Sequence, residues 1–305
     1  MLSSFNDIIA DIENNEASLL NTRLSELAGI NPEEFTEFKN AWQEISPEKR
    51  RVIISRLLEL AEDNFELVFD DIFKYCLEDP DAEVRSKAIE GLWENEEPTL
   101  INSLLNILKN DPADEVRIAA AMALGRFAML AEHQKLHASY TSKIYQSLLD
   151  TIGNPDSSVE LRRRAVEAIA PISSPEVEQI IRNAYRNDDD KLKISSIYAM
   201  GKNCNPAWIP ILVRETGNPD AEIRYEAAGA CGELGEEETV PYLGNLLEDR
   251  DIEVQMSAIR ALGKIGGTEA KNLLEQCLDD DSEIIQQAAE QALYDLSNGE
   301  DPLSF

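Results

Sequence analysis

Two histidines, His133 and His137, have the spacing that comes nearest to a metal site in this chain of 305 residues. Histidines four residues apart on a helix point to the same face, where both rings could hold one metal ion. The chain has no HExxH sequence and no third histidine to complete such a site. The pair therefore predicts a solvated helical insertion rather than a metal centre, and no cofactor is expected.

Other residues with chemical potential also favour structural roles. The four cysteines, at positions 76, 204, 231 and 277, form no CxxC pair and are expected to be reduced. The acidic turns at 188–190 and 279–281 lack the spacing of a twelve-residue calcium loop, so they are expected to cap helices. No set of residues suggests nucleophilic or acid–base catalysis, and the chain is predicted not to be an enzyme.

The chain is strongly acidic, with 59 acidic residues against 28 basic ones and a net charge of −31. Nucleic acids and anionic membranes are bound through Lys and Arg, so neither is an expected partner. Four interpretations of the acidity remain open: a solvated, mutually repelling surface, capture of a basic partner, mimicry of nucleic acid, or a salt-rich cytoplasm. The chain begins without a signal-peptide pattern and has no apolar stretch of spanning length, so a cytoplasmic location is expected.

One pattern recurs seven times: an acidic or Asn-containing turn, an aliphatic anchor residue, and then small residues at helical spacing. The anchors are Val84, Val116, Leu161, Leu192, Ile223, Val254 and Ile285. They are 32, 45, 31, 31, 31 and 31 residues apart. Small residues follow four and seven positions later, as at Ala227 and Ala230, and share one helical stripe with the anchor. Each unit is thus a helix–turn–helix that buries its stripe only by stacking on its neighbours.

A polar ladder accompanies the stripe. An Asp or Asn stands six residues before an Arg, Lys or Gln in each unit, as in Asp79 with Arg85 and Asn218 with Arg224. This unit resembles HEAT repeats, in which such an Asp and Arg bond between adjacent repeats. The ending A-x-x-A-L-G makes it most similar to the short HEAT-like units of the phycobilisome-lyase type. The resemblance covers residues 66–296 and implies an all-α, HEAT-like α-solenoid, a right-handed superhelix of helix–turn–helix repeats. Deoxyhypusine hydroxylase, an iron enzyme built on similar repeats, relies on several His-Glu motifs that this chain lacks.

Three regions are predicted along the chain. Residues 1–65 are an N-terminal helical cap, with helices at 32–45 and 47–64 that each open with proline. Residues 66–296 are the seven-repeat solenoid, and residues 297–305 are a flexible tail. The 45-residue step between anchors marks an insertion near 129–143, which either lengthens the second helix of its repeat or adds a lobe.

A candidate binding surface lies on the second helix of each repeat. Residues two and six positions after the anchor lie about 200° and 240° around the helix from it, so they are expected to point away from the core. The predicted partner-binding residues are Ile118, Met122, Arg163, Ile194, Tyr198, Tyr225, Met256 and Arg260. Apolar residues in register along several repeats would form a groove. The alternative is that the curvature of the solenoid or the insertion covers these residues. For Arg163 and Arg164, the favoured role is in surface salt bridges.

The sequence therefore predicts a non-enzymatic, protein-binding scaffold, adaptor or assembly factor that uses the concave solenoid surface. Its expected partner is another protein, through a helical or extended segment for which a basic character is one option. The alternatives are a bilin lyase-like or phycobiliprotein-associated factor, implied by the repeat subtype, and an acidic mimic of nucleic acid. The oligomeric state is left open.

Overall fold

The computed structural model describes residues 22–299, and the regular elements in that range are helices. The α-helices after a single turn at 22–25 are α1 (Pro32–Glu44), α2 (Pro47–Asp63), α3 (Asp70–Cys76), α4 (Ala82–Gly91), α5 (Pro98–Asn110), α6 (Asp114–Glu132), α7 (Ala138–Gly153), α8 (Val159–Ile169), α9 (Pro175–Tyr185), α10 (Asp190–Asn203), α11 (Ile209–Glu215), α12 (Ala221–Leu234), α13 (Val240–Leu246), α14 (Ile252–Ile265), α15 (Gly267–Cys277) and α16 (Glu283–Gly299). Short 3₁₀ turns at Pro206–Trp208 and Glu237–Thr239 precede α11 and α13. The predicted all-α solenoid is confirmed. None of these helices is long and apolar enough to cross a membrane.

Within residues 22–299 the chain divides into two compact units. The first comprises residues 22–127 and 136–147, and the second comprises residues 128–135 and 148–299. The helices α1 to α5 lie in the first unit and α8 to α16 lie in the second, while α6 and α7 each contribute residues to both.

In the first unit, α1 and α2 correspond to the helices predicted at 32–45 and 47–64. The helix α2 packs against α4. Both α1 and α2 are hydrogen-bonded to the turn that precedes α4. The indole Nε1 of Trp42 donates to Oδ2 of Asp79 at 2.8 Å, and Nη1 of Arg50 donates to the same oxygen at 3.1 Å. The end of the predicted cap therefore stacks on the first repeat as one repeat stacks on another. Residues 1–21 of that cap lie outside the described range.

The inserted residues mainly extend two helices. The helix α6 continues to Glu132, which gives it 19 residues against 10 in α4. After the short connection at 133–137, α7 begins at Ala138 and runs for 16 residues. Both histidines fall in this connection and are exposed. The inserted residues therefore lie in the extended end of α6, in the connection at 133–137 and in α7.

In the second unit, each repeat has a first or outer helix and a second or inner helix, and the inner helices are α8, α10, α12, α14 and α16. Each of these packs against the next one in order. The small residues of the repeat permit the close approach, because a Cβ atom on Gly201 would lie 2.8 Å from the Cα of Ala230. The anchor stripe is buried here except for the half-buried Leu192 and Leu293. At the start of α12 the Asp220 side chain accepts from the backbone of Glu222 and caps the helix.

The polar ladder joins consecutive repeats at Arg224 and at Arg85, as the resemblance implied, whereas Arg117 donates to the carbonyl of Leu108 in its own repeat. Arg224 binds Asp249 of the next repeat through two hydrogen bonds of 2.7 and 2.8 Å, and its Nη1 donates to the carbonyl of Asn218 at 2.8 Å. Arg85 and Asp111 are paired in the same way in the first unit. Where glutamine replaces arginine, its side-chain amide still donates to the backbone carbonyl of the residue six positions earlier, as from Gln255 to Asp249.

The last helix is longer than the repeat pattern suggests. The helix α16 continues to Gly299, so the first three residues of the predicted 297–305 tail are helical. Residues 300–305 lie outside the described range.

Candidate partner-binding face

The predicted partner-binding residues fall in both units. Ile118, half-buried, and Met122, 53% exposed, lie on α6 in the first unit. The other six residues lie in the second unit. Arg163, Tyr225 and Met256 are half-buried, Tyr198 and Arg260 are exposed, and Ile194 is buried. Of the residues expected to face solvent, Met122, Tyr198 and Arg260 are the exposed ones.

Ile194 does not belong on the exposed surface. Its side chain is 7% exposed, although its offset from the anchor predicted an outward position. The reason is that α10 has an inner helix on each side and α9 behind it. Residues 194–197 of its first half are all buried, and Tyr198 is the residue that reaches solvent there. On a helix packed between two others, the solvent-exposed strip is thus too narrow to include both the position two residues after the anchor and the position six residues after it.

Tyr198, Tyr225 and Arg260 do come together, at a cavity of about 230 Å³ on the inner helices of the second unit. We call this cavity the tyrosine groove. Its lining side chains include Tyr198 and Lys202 of α10, Tyr225, Glu226 and Glu233 of α12, and Ser257, Arg260 and Lys264 of α14. A second cavity of about 750 Å³ continues from Arg260 and Met256 towards α16. Three of the eight predicted residues therefore share one concave site, and a fourth adjoins it.

Both tyrosine rings are held in place by neighbouring side chains. The ammonium of Lys202 lies 5.6 Å from the centre of the Tyr198 ring, and the guanidinium of Arg260 lies 6.0 Å from that of Tyr225. Such contacts attract a cation to the ring face. Because Tyr198 remains 39% exposed, its ring offers contact area that no neighbour fills.

A row of alternating charges crosses the groove. The carboxylate of Glu233 accepts from Lys202 at 3.1 Å and from Lys264 at 2.5 Å. These three residues lie 31 positions apart, at the same place in consecutive repeats. These bonds link the inner helices α10, α12 and α14. Both lysines are paired with Glu233, so their charges are balanced within the groove wall.

The basic residues at 162–164 are also engaged within the chain. Arg163 contacts Glu160 at 2.5 Å and donates to the hydroxyl of Ser195 at 3.1 Å. Arg164 contacts Glu160 at 3.1 Å and Glu167 at 2.8 Å. These contacts agree with the salt-bridge interpretation. They leave Arg163 bound within the chain rather than available to a partner as a free cation.

Glu226 differs from the other carboxylates of the face, because it has no hydrogen bond or ion pair to any described residue. Burial, together with the negative charges of Glu167 and Glu222, raises the pKa of Glu226 to about 7. Burial likewise raises the pKa of Tyr198, which lies in the field of Glu167, Glu233 and Glu226. The groove thus contains a carboxyl group that is ready to exchange a proton near neutral pH.

Sequence reasoning did not identify Glu226, Glu233, Lys202 or Lys264. The prediction used offsets of two and six from the anchor, whereas these residues lie at offsets of three and ten. A repeating signal was available, since offset ten reads Lys, Glu, Lys in three consecutive repeats. Among the described residues no three His, Cys, Asp or Glu side chains lie together as metal ligands would.

Comparison with protein families gives a specific match. The family model for HEAT repeats matches residues 69–148 and 209–294, more than half of the chain. The chain belongs to the HEAT-repeat family. A search of curated protein sequences finds no match for this HEAT-repeat chain.

Solved structures resemble the HEAT-repeat chain in fold. The complex of CpcE and CpcF of phycocyanin lyase from Nostoc sp. aligns with a TM-score of 0.52 and 16% identity, over 82% of this chain and 90% of that one. The protein YibA from Escherichia coli gives 0.46 and 18%, over 82% and 97%. Human deoxyhypusine hydroxylase gives 0.38 and 16%, over 83% and 91%. At 16% identity the likeness to the phycocyanin-lyase complex shows a shared fold and leaves activity undefined.

Proposed function

We propose that this HEAT-repeat chain is a non-enzymatic binding scaffold, adaptor or assembly factor, and that the tyrosine groove holds a segment of a partner protein. The observation that carries the proposal is the convergence of Tyr198 and Tyr225 on one cavity formed by consecutive inner helices. Tyrosines are enriched at the centres of protein interfaces, where a large ring adds contact area and its hydroxyl adds a hydrogen bond.

The dimensions of the groove support a polypeptide segment as the occupant. The tyrosine groove and the cavity beside it share Arg260 and Lys264, and together they run across α10, α12, α14 and α16. Adjacent helices pack about 8–10 Å apart, so four of them span roughly 25–30 Å. An extended peptide of eight or nine residues covers that distance at about 3.3 Å per residue. The two adjoining cavities together are therefore long enough for an extended segment that lies across the helices.

The test uses a phage-displayed library of random twelve-residue peptides, selected on the wild-type protein. Dissociation constants of the selected peptides are then measured for wild type and for Tyr198→Ala with Tyr225→Ala. The loss of two interface tyrosines should weaken binding at least about tenfold, while the melting temperature stays nearly unchanged. Tyr242→Ala is the matched control, since Tyr242 is 43% exposed on the outer helix α13 and should have no effect.

Two results would contradict the proposal. Selected peptides that bind wild type and the double variant equally would place the functional surface elsewhere. A bilin chromophore bound by the protein without any peptide, and lost in the double variant, would favour the lyase-like alternative instead.

A further inference from the structure

Glu226 stands out because Glu233, the other carboxylate of the groove, and the nearby Glu167 are both satisfied. Glu233 is held by two lysines, and Glu167 accepts from Arg164 at 2.8 Å and from the Ser195 hydroxyl at 2.5 Å. Glu226 has no such donor among the described residues, although it is half-buried and lines the cavity. A poorly hydrated carboxylate without a donor is in an unfavourable state, and a bound donor would improve it.

The groups that face Glu226 leave this position to an outside ligand. The cations that act on it from α8 are Arg163 and Arg164, and both already contact Glu160. From α10 it faces the phenol of Tyr198. Its own helix adds the negative charge of Glu222.

The helix on the other side, α14, offers Glu226 no free hydroxyl donor. Ser257 lines the cavity, but its hydroxyl donates to the carbonyl of Tyr225 at 2.9 Å. Arg260 lines the cavity as well and lies against the ring of Tyr225 rather than against Glu226. The donor that Glu226 lacks is therefore one that a ligand can supply.

We propose, on the basis of the proposed function, that Glu226 anchors a lysine or arginine side chain of the bound segment, with Tyr198 and Tyr225 flanking its aliphatic stem. A charge-assisted hydrogen bond to a partly buried carboxylate is about twice as strong as a neutral one. The flexible stems of Lys and Arg pack well along aromatic surfaces. The net charge of −31 also draws basic segments towards the protein over long range.

The probe is a short peptide, acetyl-Gly-Gly-Arg-Gly-Gly-amide, compared with the same peptide carrying citrulline in place of arginine. Citrulline has nearly the same shape but no charge. Binding is followed at pH 8 by NMR of protein labelled with ¹³C at the Glu side-chain carboxyl carbons, and the Glu226 signal is assigned by its absence in Glu226→Gln. The arginine peptide should shift the Glu226 signal and bind about tenfold more tightly than the citrulline peptide.

The control variants separate this contact from the general attraction of an acidic protein for a cation. Glu226→Gln should remove the tenfold preference, whereas Glu275→Gln, at an exposed position on α15, should keep it. Equal affinity for the two peptides, or a preference that survives in Glu226→Gln, would overturn the inference. In that case library peptides that still depend on Tyr198 and Tyr225 would show that the groove binds protein segments without this anchor.

Discussion

A Cβ atom on Gly232 would lie 2.7 Å from the Cα atom of Ala261, so α12 and α14 touch almost backbone to backbone at this point. Gly201 has the same relation to Ala230 one repeat earlier, at 2.8 Å. Carbon atoms that are not bonded to each other do not approach so closely in packed interiors. Glycine is required at these positions because the neighbouring helix leaves no room, and the small-residue stripe of the repeat follows from this contact.

Gly232→Ala should lower the free energy of unfolding by about 1–3 kcal/mol, because the added methyl group forces two helices apart in a packed core. The measurement is urea denaturation followed by circular dichroism. Gly229→Ala, on the same helix, is the control. Its Cβ atom would lie 3.7 Å from Oγ of Ser257, an ordinary contact, so the gain in helix propensity should leave stability unchanged or raised by about 0.5–1 kcal/mol. Equal destabilisation by both variants would contradict the proposed contact.

Arg224→Ala should lower the free energy of unfolding by about 3–5 kcal/mol, since it leaves a buried carboxylate without its partner. The side chains of Arg224 and Asp249 are 8% and 9% exposed, and Arg224 also binds the carbonyls of Asn218 and Pro219 in the preceding turn. The measurement is again urea denaturation, here at pH 7.

The control for the ladder is Arg51→Ala. Arg51 makes a similar contact with Asp81, in which its Nε and Nη2 donate to the carboxylate oxygens, but 44% of its side chain is exposed to water. Exposed pairs contribute little, so this variant should change stability far less. The Arg224 guanidinium also lowers the pKa of Asp249 below its ordinary value. This stabilisation is present above the ordinary pKa of Asp249 and is lost as the pH falls through its lowered value, so the effect of Arg224→Ala should shrink in acid.

Glu226→Gln should make the protein more stable at pH 8. The pKa of Glu226 in the folded protein is about 7, against an ordinary value of 4.5. Between these values the folded state holds a proton that the unfolded state releases, so a rise in pH through this range removes stability from the wild type. The variant avoids the loss and should be more stable by roughly 1–3 kcal/mol at pH 8 and by less than half of that at pH 5.

Thermal melts from pH 5 to pH 8 measure this difference, with Glu275→Gln as the exposed control. The control should show no change in its difference from wild type across the range. A difference between Glu226→Gln and wild type that is the same at both ends would mean that Glu226 is ionised throughout.

Much of the fold could be predicted from the sequence, because each repeat carries the same physical constraints. The anchor at Val254 and the small residue at Ala258 are buried, and helices opened by proline begin at Pro32 and Pro47 as expected. The stacking of α2 on α4 could not be predicted in this way. The ion pair of Arg50 with Asp79 links α2 to the turn before α4, as the polar ladder links consecutive repeats. It does so without the small residues that define the repeat pattern.

The candidate site was harder to predict, since it depends on how close neighbouring helices come. Helical angles placed Ile194 and Tyr198 on the same outward face, yet the neighbouring helices bury the first and leave the second exposed. Glu226 carries no distinctive sequence signal. It is distinguished by the absence of a donor among residues 22–299, whereas Glu233 has two lysines at the matching positions of adjacent repeats.

Ile194→Gln should therefore lower the stability of the protein, whereas Tyr198→Gln should alter the groove alone. The two residues lie one helical turn apart on α10, but Ile194 is 7% exposed and Tyr198 is 39% exposed. An amide at position 194 would lose its hydration without a partner and would replace well-packed apolar atoms, which should cost about 2–4 kcal/mol. The same amide at position 198 can reach water, so its effect should be about 1 kcal/mol or less. Urea denaturation of both variants, alongside their affinity for a library-selected peptide, checks the assignment. If Ile194→Gln weakened peptide binding with unchanged stability, Ile194 would lie on the exposed face as its offset from the anchor first suggested.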